Sequence, residues 1–165
     1  MPSPRRRVYY VSRVYEAARL TSLFDEYGVR EWERLAPEAP AIDRVNLATH
    51  LALLRDCVHA GDRVFEVGAG PGRFTIELAR IGARTVVGDI SPRQLELNRE
   101  NVAAAGLEAA VERRQLVDIV DLTMFADGVF DAAVCFGGPL SYVLDRADDA
   151  LAKLLRVTRS EGIVL

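Results

Sequence analysis

"DRVFEVGAGPGRFTIELARIGARTVVGDI", residues 62–90, sets two short apolar runs, "RVFEV" and "RTVVGDI", on either side of a glycine-rich turn and a stretch with helical spacing. Between residues 73 and 81 the apolar side chains Phe74, Leu78 and Ile81 recur on one face of a 3.6-residue repeat, and Gly82 follows at its end. Strand, turn, helix and strand in this order predict a βαβ unit, whose two strands lie parallel.

The same alternation continues toward the C-terminus. "SPRQLELNRENVAAAG", 91–106, predicts a helix with Ser91 as N-cap, Pro92 in the first turn, Gln94 completing a capping box and Gly106 as the stop. A third strand is predicted near 109–116 and a fourth at "DAAVCF", 131–136. A further helix turns Leu151, Leu154 and Leu155 inward, and a fifth strand opens with "GIVL" at 162–165. Toward the N-terminus, Leu47, Leu51, Leu54 and Val58 share one face of a helix over 41–58. "APEAP", 36–40, separates that helix from two short helices over 8–35, punctuated by Gly28. The expected fold is α/β, a three-layer Rossmann-like sandwich with a mainly parallel sheet and helices on both faces. Its expected organisation is an N-terminal helical segment or lid, 1–59, and a core, 60–165.

Composition restricts the partners. The chain has 165 residues, 21 basic and 24 acidic, for a formal net charge of −3, so no overall positive field favours nucleic acid or an anionic membrane. No run approaches the ~20 apolar residues of a membrane span. The basic opening "MPSPRRRVYYVSRVY" lacks the apolar stretch of a secretory signal. Cys57, Cys135, His50 and His59 have no metal-ligand spacing and read as structural, so no metal is expected, and a cytoplasmic location is.

The turn itself selects a ligand. Gly68, Gly70 and Gly72 let backbone approach a bound nucleotide, but they read G-x-G-x-G, with Arg73 at the place of the third glycine of the dinucleotide fingerprint. Pro71 removes a backbone donor, and Glu66 repels phosphate while attracting an ammonium group. Asp89, at the end of the second apolar run, is placed to accept both hydroxyls of a ribose. A ribose, no pyrophosphate and a positively charged amino-acid end together describe S-adenosylmethionine.

At this point residues 60–165 resemble the class I S-adenosylmethionine-dependent methyltransferases. "VFEVGAGPG" is similar to that family's first motif and "VVGDISP" to its second. "LVDIVDL", "FDAAVCFGGPLSYV" and "LLRVTRSEGIVL" follow in the family's order. The resemblance implies cofactor contacts by Glu66, Gly68, Gly70, Gly72, Asp89, Ile90, Asp118 and Ile119, with Asp121 an alternative to Asp118. It implies S-adenosylhomocysteine as product. The acceptor, a small molecule first and RNA or a protein side chain behind it, is expected past the carboxyl end of the fourth strand, near Phe136, Gly137, Gly138 and Tyr142. Tyr9, Tyr10 and Tyr15 are candidates for a lid or for packing, and "EWERL", 31–35, for a packed helix. Two departures stand out. Ser160-Glu161-Gly162 replaces the usual Pro-Gly-Gly, and the chain stops inside the fifth of seven expected strands. A shortened chain, or an edge that pairs with a second copy, is therefore expected. A non-catalytic S-adenosylmethionine-binding domain and a nucleotide-dependent oxidoreductase are the alternatives.

Overall fold

A computed structural model describes residues 14–33 and 38–165. Two short helices, α1 (Ala17–Tyr27) and α2 (Arg30–Glu33), precede α3 (Ala41–Cys57). β1 (Arg63–Val67), α4 (Arg73–Ile81), β2 (Arg84–Asp89) and α5 (Pro92–Ala104) follow, then β3 (Val111–Leu116) and β4 (Phe130–Val134). The short α6 (Pro139–Tyr142), then α7 (Ala147–Val157) and β5 (Thr158–Val164) complete the order. All pairings are parallel, in the order β3-β2-β1-β4-β5, so the predicted βαβ arrangement is present as a five-stranded sheet.

β1 is central and buried from Val64 to Val67 because it pairs with β2 on one side and β4 on the other. Leu54 and Val58 of α3 and Phe74 and Leu78 of α4 bury one face of the sheet together with Val64, Ala132 and Val134. Phe65, Val67, Val86, Phe130 and Ala133 form the opposite face, covered by Ala150, Leu154 and Val157 of α7 and by the segment carrying Leu122 and Phe125. α5 packs beside α4 against β2 and β3.

Three local expectations are corrected. In α7 the inward stripe is Ala150, Leu154 and Val157, at i, i+4 and i+7. Leu151 and Leu155 sit about 100° further round and are 40% and 57% exposed. In α5, Ser91 Oγ accepts from Gln94 N at 3.0 Å as an N-cap should, but the Gln94 side chain does not return to Ser91 and reaches α1 instead. β5 begins at Thr158, directly after α7. Thr158 pairs with Phe130, Ile163 pairs with Ala132, and residues 159–162 between them bulge outward. Gly162 makes that bulge possible, since a Cβ there would lie 2.6 Å from the Asp131 carbonyl oxygen.

Candidate functional site

The order of the sheet reverses at β1, and a cleft opens above the carboxyl ends of β1 and β4, as open parallel sheets require. Apolar and aromatic side chains line most of it, with Glu31, Arg73, Asp89 and Asp118 as its charged groups. The predicted residues Gly68, Gly70, Asp89, Ile90, Asp118, Ile119, Phe136, Gly137 and Tyr142 all line this one space, although they come from the ends of four strands and from α6. Glu66, Gly72 and Gly138 do not.

Period-two alternation explains Glu66. It shares the face of Val64, not that of Phe65 and Val67, so its carboxylate points beneath the start of α4. There Oε2 accepts from Thr75 Oγ1 at 2.6 Å, and the Thr75 backbone N–H also bonds to the carboxylate, which ties down the N-terminus of the helix. Burial pushes the Glu66 pKa up to about 8, against the pull of the Thr75 bonds. Oε1 is buried without a partner. Gly72 caps α4 at φ +97°, and a Cβ on it would meet Asn98 Nδ2 at 3.1 Å and Val102 Cγ2 at 3.3 Å, so it serves the close packing of α4 on α5.

A chain of polar side chains supports the loop from below. Asn98 Nδ2 donates to Thr75 Oγ1 at 2.8 Å, and Arg114 Nε donates to Asn98 Oδ1 at 2.9 Å. The Arg114 guanidinium then grips the Glu108 carboxylate through two bonds of 2.5 and 2.8 Å. Asn101 Nδ2 reaches the Pro71 carbonyl at 2.8 Å. Gln94, Asn98 and Asn101 stand at i, i+4 and i+7 on α5, a polar stripe turned inward. That spacing is the signal in the sequence that would have found them.

Asp89 ends β2 with each carboxylate oxygen holding one backbone amide, Gly70 N at 2.8 Å and Ser91 N at 2.9 Å. Together with the Ile90 amide, these bonds fix the plane of the carboxylate at the edge of the cleft. Burial raises its pKa to about 6 despite these bonds. Asp118, after β3, accepts from Val120 N at 3.1 Å through Oδ1 and from Tyr15 Oη at 2.6 Å through Oδ2. Asp121 bonds instead to Thr123 and does not line the cleft.

From before the sheet, Tyr15, Leu20, Phe24 and Glu31 also line the cleft. Besides the Tyr15 hydroxyl bond, Tyr15 N donates to Asp145 Oδ1 at 2.8 Å, and burial together with Asp118 raises the phenol pKa so that it stays a donor. Gln94 Nε2 donates to the carbonyls of Phe24 and Gly28 at 2.9 and 3.1 Å, which secures the end of α1. Phe24 meets Tyr142 edge-on at 5.2 Å. Tyr9 and Tyr10, the other lid candidates, lie outside the described residues. Within "EWERL", Glu31 lines the cleft, and Trp32 stacks under the Arg73 guanidinium at 3.9 Å. His50 stacks on Phe136 at 4.4 Å, and Cys57 and Cys135 are free thiols. Among the described residues no three His, Cys, Asp or Glu side chains gather as a metal site, and no helix is long and apolar enough to cross a membrane.

Fold and cleft define a Rossmann-like protein with a ligand cleft at its topological switch point. The family described as "Methyltransferase domain" matches residues 64–162, and the chain belongs to it. It is similar to the magnesium-protoporphyrin O-methyltransferase of Rhodobacter capsulatus, 28% identical over 152 residues, with 86% of this chain and 65% of that protein covered. It is also similar to the ubiquinone biosynthesis O-methyltransferase of Xanthomonas oryzae pv. oryzae, 33% identical over 109 residues, with coverage of 64% and 43%. A solved S-adenosylmethionine-dependent methyltransferase from Thiobacillus denitrificans, in complex with S-adenosyl-L-homocysteine, superposes with a TM-score of 0.58 at 25% identity, over 72% of this chain and 46% of that one. The chain spans 35% to 65% of the length of the curated relatives it matches.

Proposed function

We propose that the cleft binds S-adenosylmethionine and that the chain transfers its methyl group to a small-molecule acceptor in the cytoplasm. The observation that carries this reading is the Asp89 carboxylate, held rigid by Gly70 N and Ser91 N and facing the same cleft as the glycine loop. A carboxylate held in this way suits the vicinal hydroxyls of a ribose as donors. Asp118 suits the exocyclic amine of adenine, with Ile90 and Ile119 beside the base. Two buried polar atoms without partners, Gln94 Oε1 and Arg73 Nε, belong to side chains that line the cleft, as expected of a site shaped for a polar ligand. Membership of the methyltransferase-domain family supports the same conclusion.

When bound, the cofactor supplies an electrophilic methyl group, so the chain need only orient the acceptor and exclude water. Phe24, Phe74, Phe136 and Tyr142 give that part of the cleft an aromatic lining, which favours a small acceptor with an apolar body. The two O-methyltransferases among the relatives agree with an acceptor of this size. Tyr15, Leu20, Phe24 and Glu31, which line the cleft from before the sheet, act as its cover. Calorimetry with S-adenosylhomocysteine, followed by methyl-transfer assays over hydroxylated small molecules, tests the reading. Absence of nucleoside binding overturns it. Binding without turnover of any acceptor leaves the non-catalytic domain.

A further inference from the structure

Ribose and adenine account for the Asp89 and Asp118 side of the cleft and leave its charged corner unused. Arg73, the first residue of α4, lies with its guanidinium over the Trp32 ring and donates from Nη2 to the Trp32 carbonyl at 3.4 Å. Its Nε is buried and has no hydrogen-bond partner. Glu77, one turn along the same helix, is the acid that most favours its charge, and Glu77 already pairs with Arg55 and Arg80. A buried N–H donor without an acceptor is costly until an oxygen accepts from it. Next to Trp32 in the chain, Glu31 lines the same cleft and leans over the glycine loop: its Cγ lies 3.7 Å from where a Cβ on Gly70 would be. Glu66, the acid the sequence offers for this purpose, is buried beneath the loop and does not line the cleft.

We propose that Glu31 and Arg73 receive the α-ammonium and α-carboxylate of the ligand's amino-acid end, so that the segment before the sheet reads the charge pattern of the ligand. The assignment rests on the reading of the cleft as an S-adenosylmethionine site. One carboxylate and one guanidinium match a zwitterion in sign and number, while the same Glu31 repels a pyrophosphate. Recognition by α2 also gives the cover a reason to close only over a ligand with an amino-acid end. Arg73 and Glu31 are positioning groups and take no part in bond making.

Two probes separate the contributions. S-adenosylhomocysteine carries the amino-acid end, and 5′-methylthioadenosine keeps the adenine, ribose and thioether but lacks it. In calorimetry the unaltered chain should bind S-adenosylhomocysteine about 10- to 100-fold more tightly than 5′-methylthioadenosine. Arg73→Met should remove most of that advantage and leave 5′-methylthioadenosine within about twofold of its original affinity. Glu31→Gln should do the same to a smaller degree. Equal loss for both nucleosides in the variants, or no loss for either, overturns the assignment and leaves the cofactor reading standing. An unaltered chain that binds neither nucleoside overturns both.

Discussion

Glu66 and Asp89 hold their protons more tightly in the folded chain than in the unfolded one, with pKa values of about 8 and about 6 set first by burial. A carboxyl with a raised native value costs the fold nothing while it is protonated and costs progressively more as the pH climbs above its unfolded value. The ligand-free protein should therefore lose stability between about pH 4.5 and pH 8. Urea midpoints across that range check this, and Glu66→Gln, which stays neutral, should flatten most of the decline. Ligand affinity should run the opposite way, rising through pH 6 as Asp89 becomes a full acceptor for the ribose. Asp89→Ala removes two charge-assisted bonds of about 1.5 to 3 kcal/mol each. We expect S-adenosylhomocysteine affinity to fall on the order of a hundredfold to ten-thousandfold by calorimetry.

At this scale the sequence makes some residues legible and hides others. Asp89 and Asp118 follow apolar runs, and a residue at the carboxyl end of a parallel strand projects into the crevice whatever the rest of the fold does. Glu66 looks equivalent, but it sits inside a strand, where a one-residue step decides between the two faces of the sheet. Arg73 reads in the sequence only as a missing glycine. Its partnerless Nε depends on Trp32, 41 positions earlier, which no local pattern brings near.

Among the elements, the glycine loop is the most constrained. Gly68 has φ +67°, and a Cβ there would lie 2.3 Å from Pro139 Cγ, because the loop after β1 is pressed against the start of α6. Gly68→Ala must both strain the backbone and push Pro139 aside, at a combined cost of about 2 to 5 kcal/mol. A clear drop in the urea midpoint and loss of nucleoside binding are the expected results. α5 shows how a helix can be legible in outline and illegible in purpose. Its cap and its stop are written in Ser91, Pro92 and Gly106. The service of Gln94, Asn98 and Asn101 to α1 and to the loop appears only when their common face is seen to look inward.

For the whole molecule, ligand binding should be visible as stability. At a hundredfold excess over Kd the folded state gains about 2.7 kcal/mol, which in a chain of this size corresponds to a rise in Tm of roughly 5 to 10 °C. Differential scanning fluorimetry with S-adenosylhomocysteine reads it directly. Among the described residues the outer edge of β5 pairs with no strand, and such edges recruit neighbours. We expect the isolated chain to self-associate through it, and a strictly monomeric mass in light scattering would argue against that. The parallel order was legible because each βα repeat announces itself in apolar period and caps. The bulge in β5 was not, since nothing local marks where pairing pauses and resumes.

The chain of bonds from Glu66 through Thr75, Asn98 and Arg114 to Glu108 has a consequence for how such a site can be transplanted. A segment cut at residues 64–75 carries the glycines and the buried acid, but leaves behind the amide and the guanidinium that keep that acid's hydroxyl partner in place. Grafted into a foreign sheet, it would bring a desolvated carboxyl with half of its support missing. The smallest portable unit runs from β1 to the end of β3, and its outermost member, Glu108, is a solvent-facing side chain that sequence inspection would discard as surface.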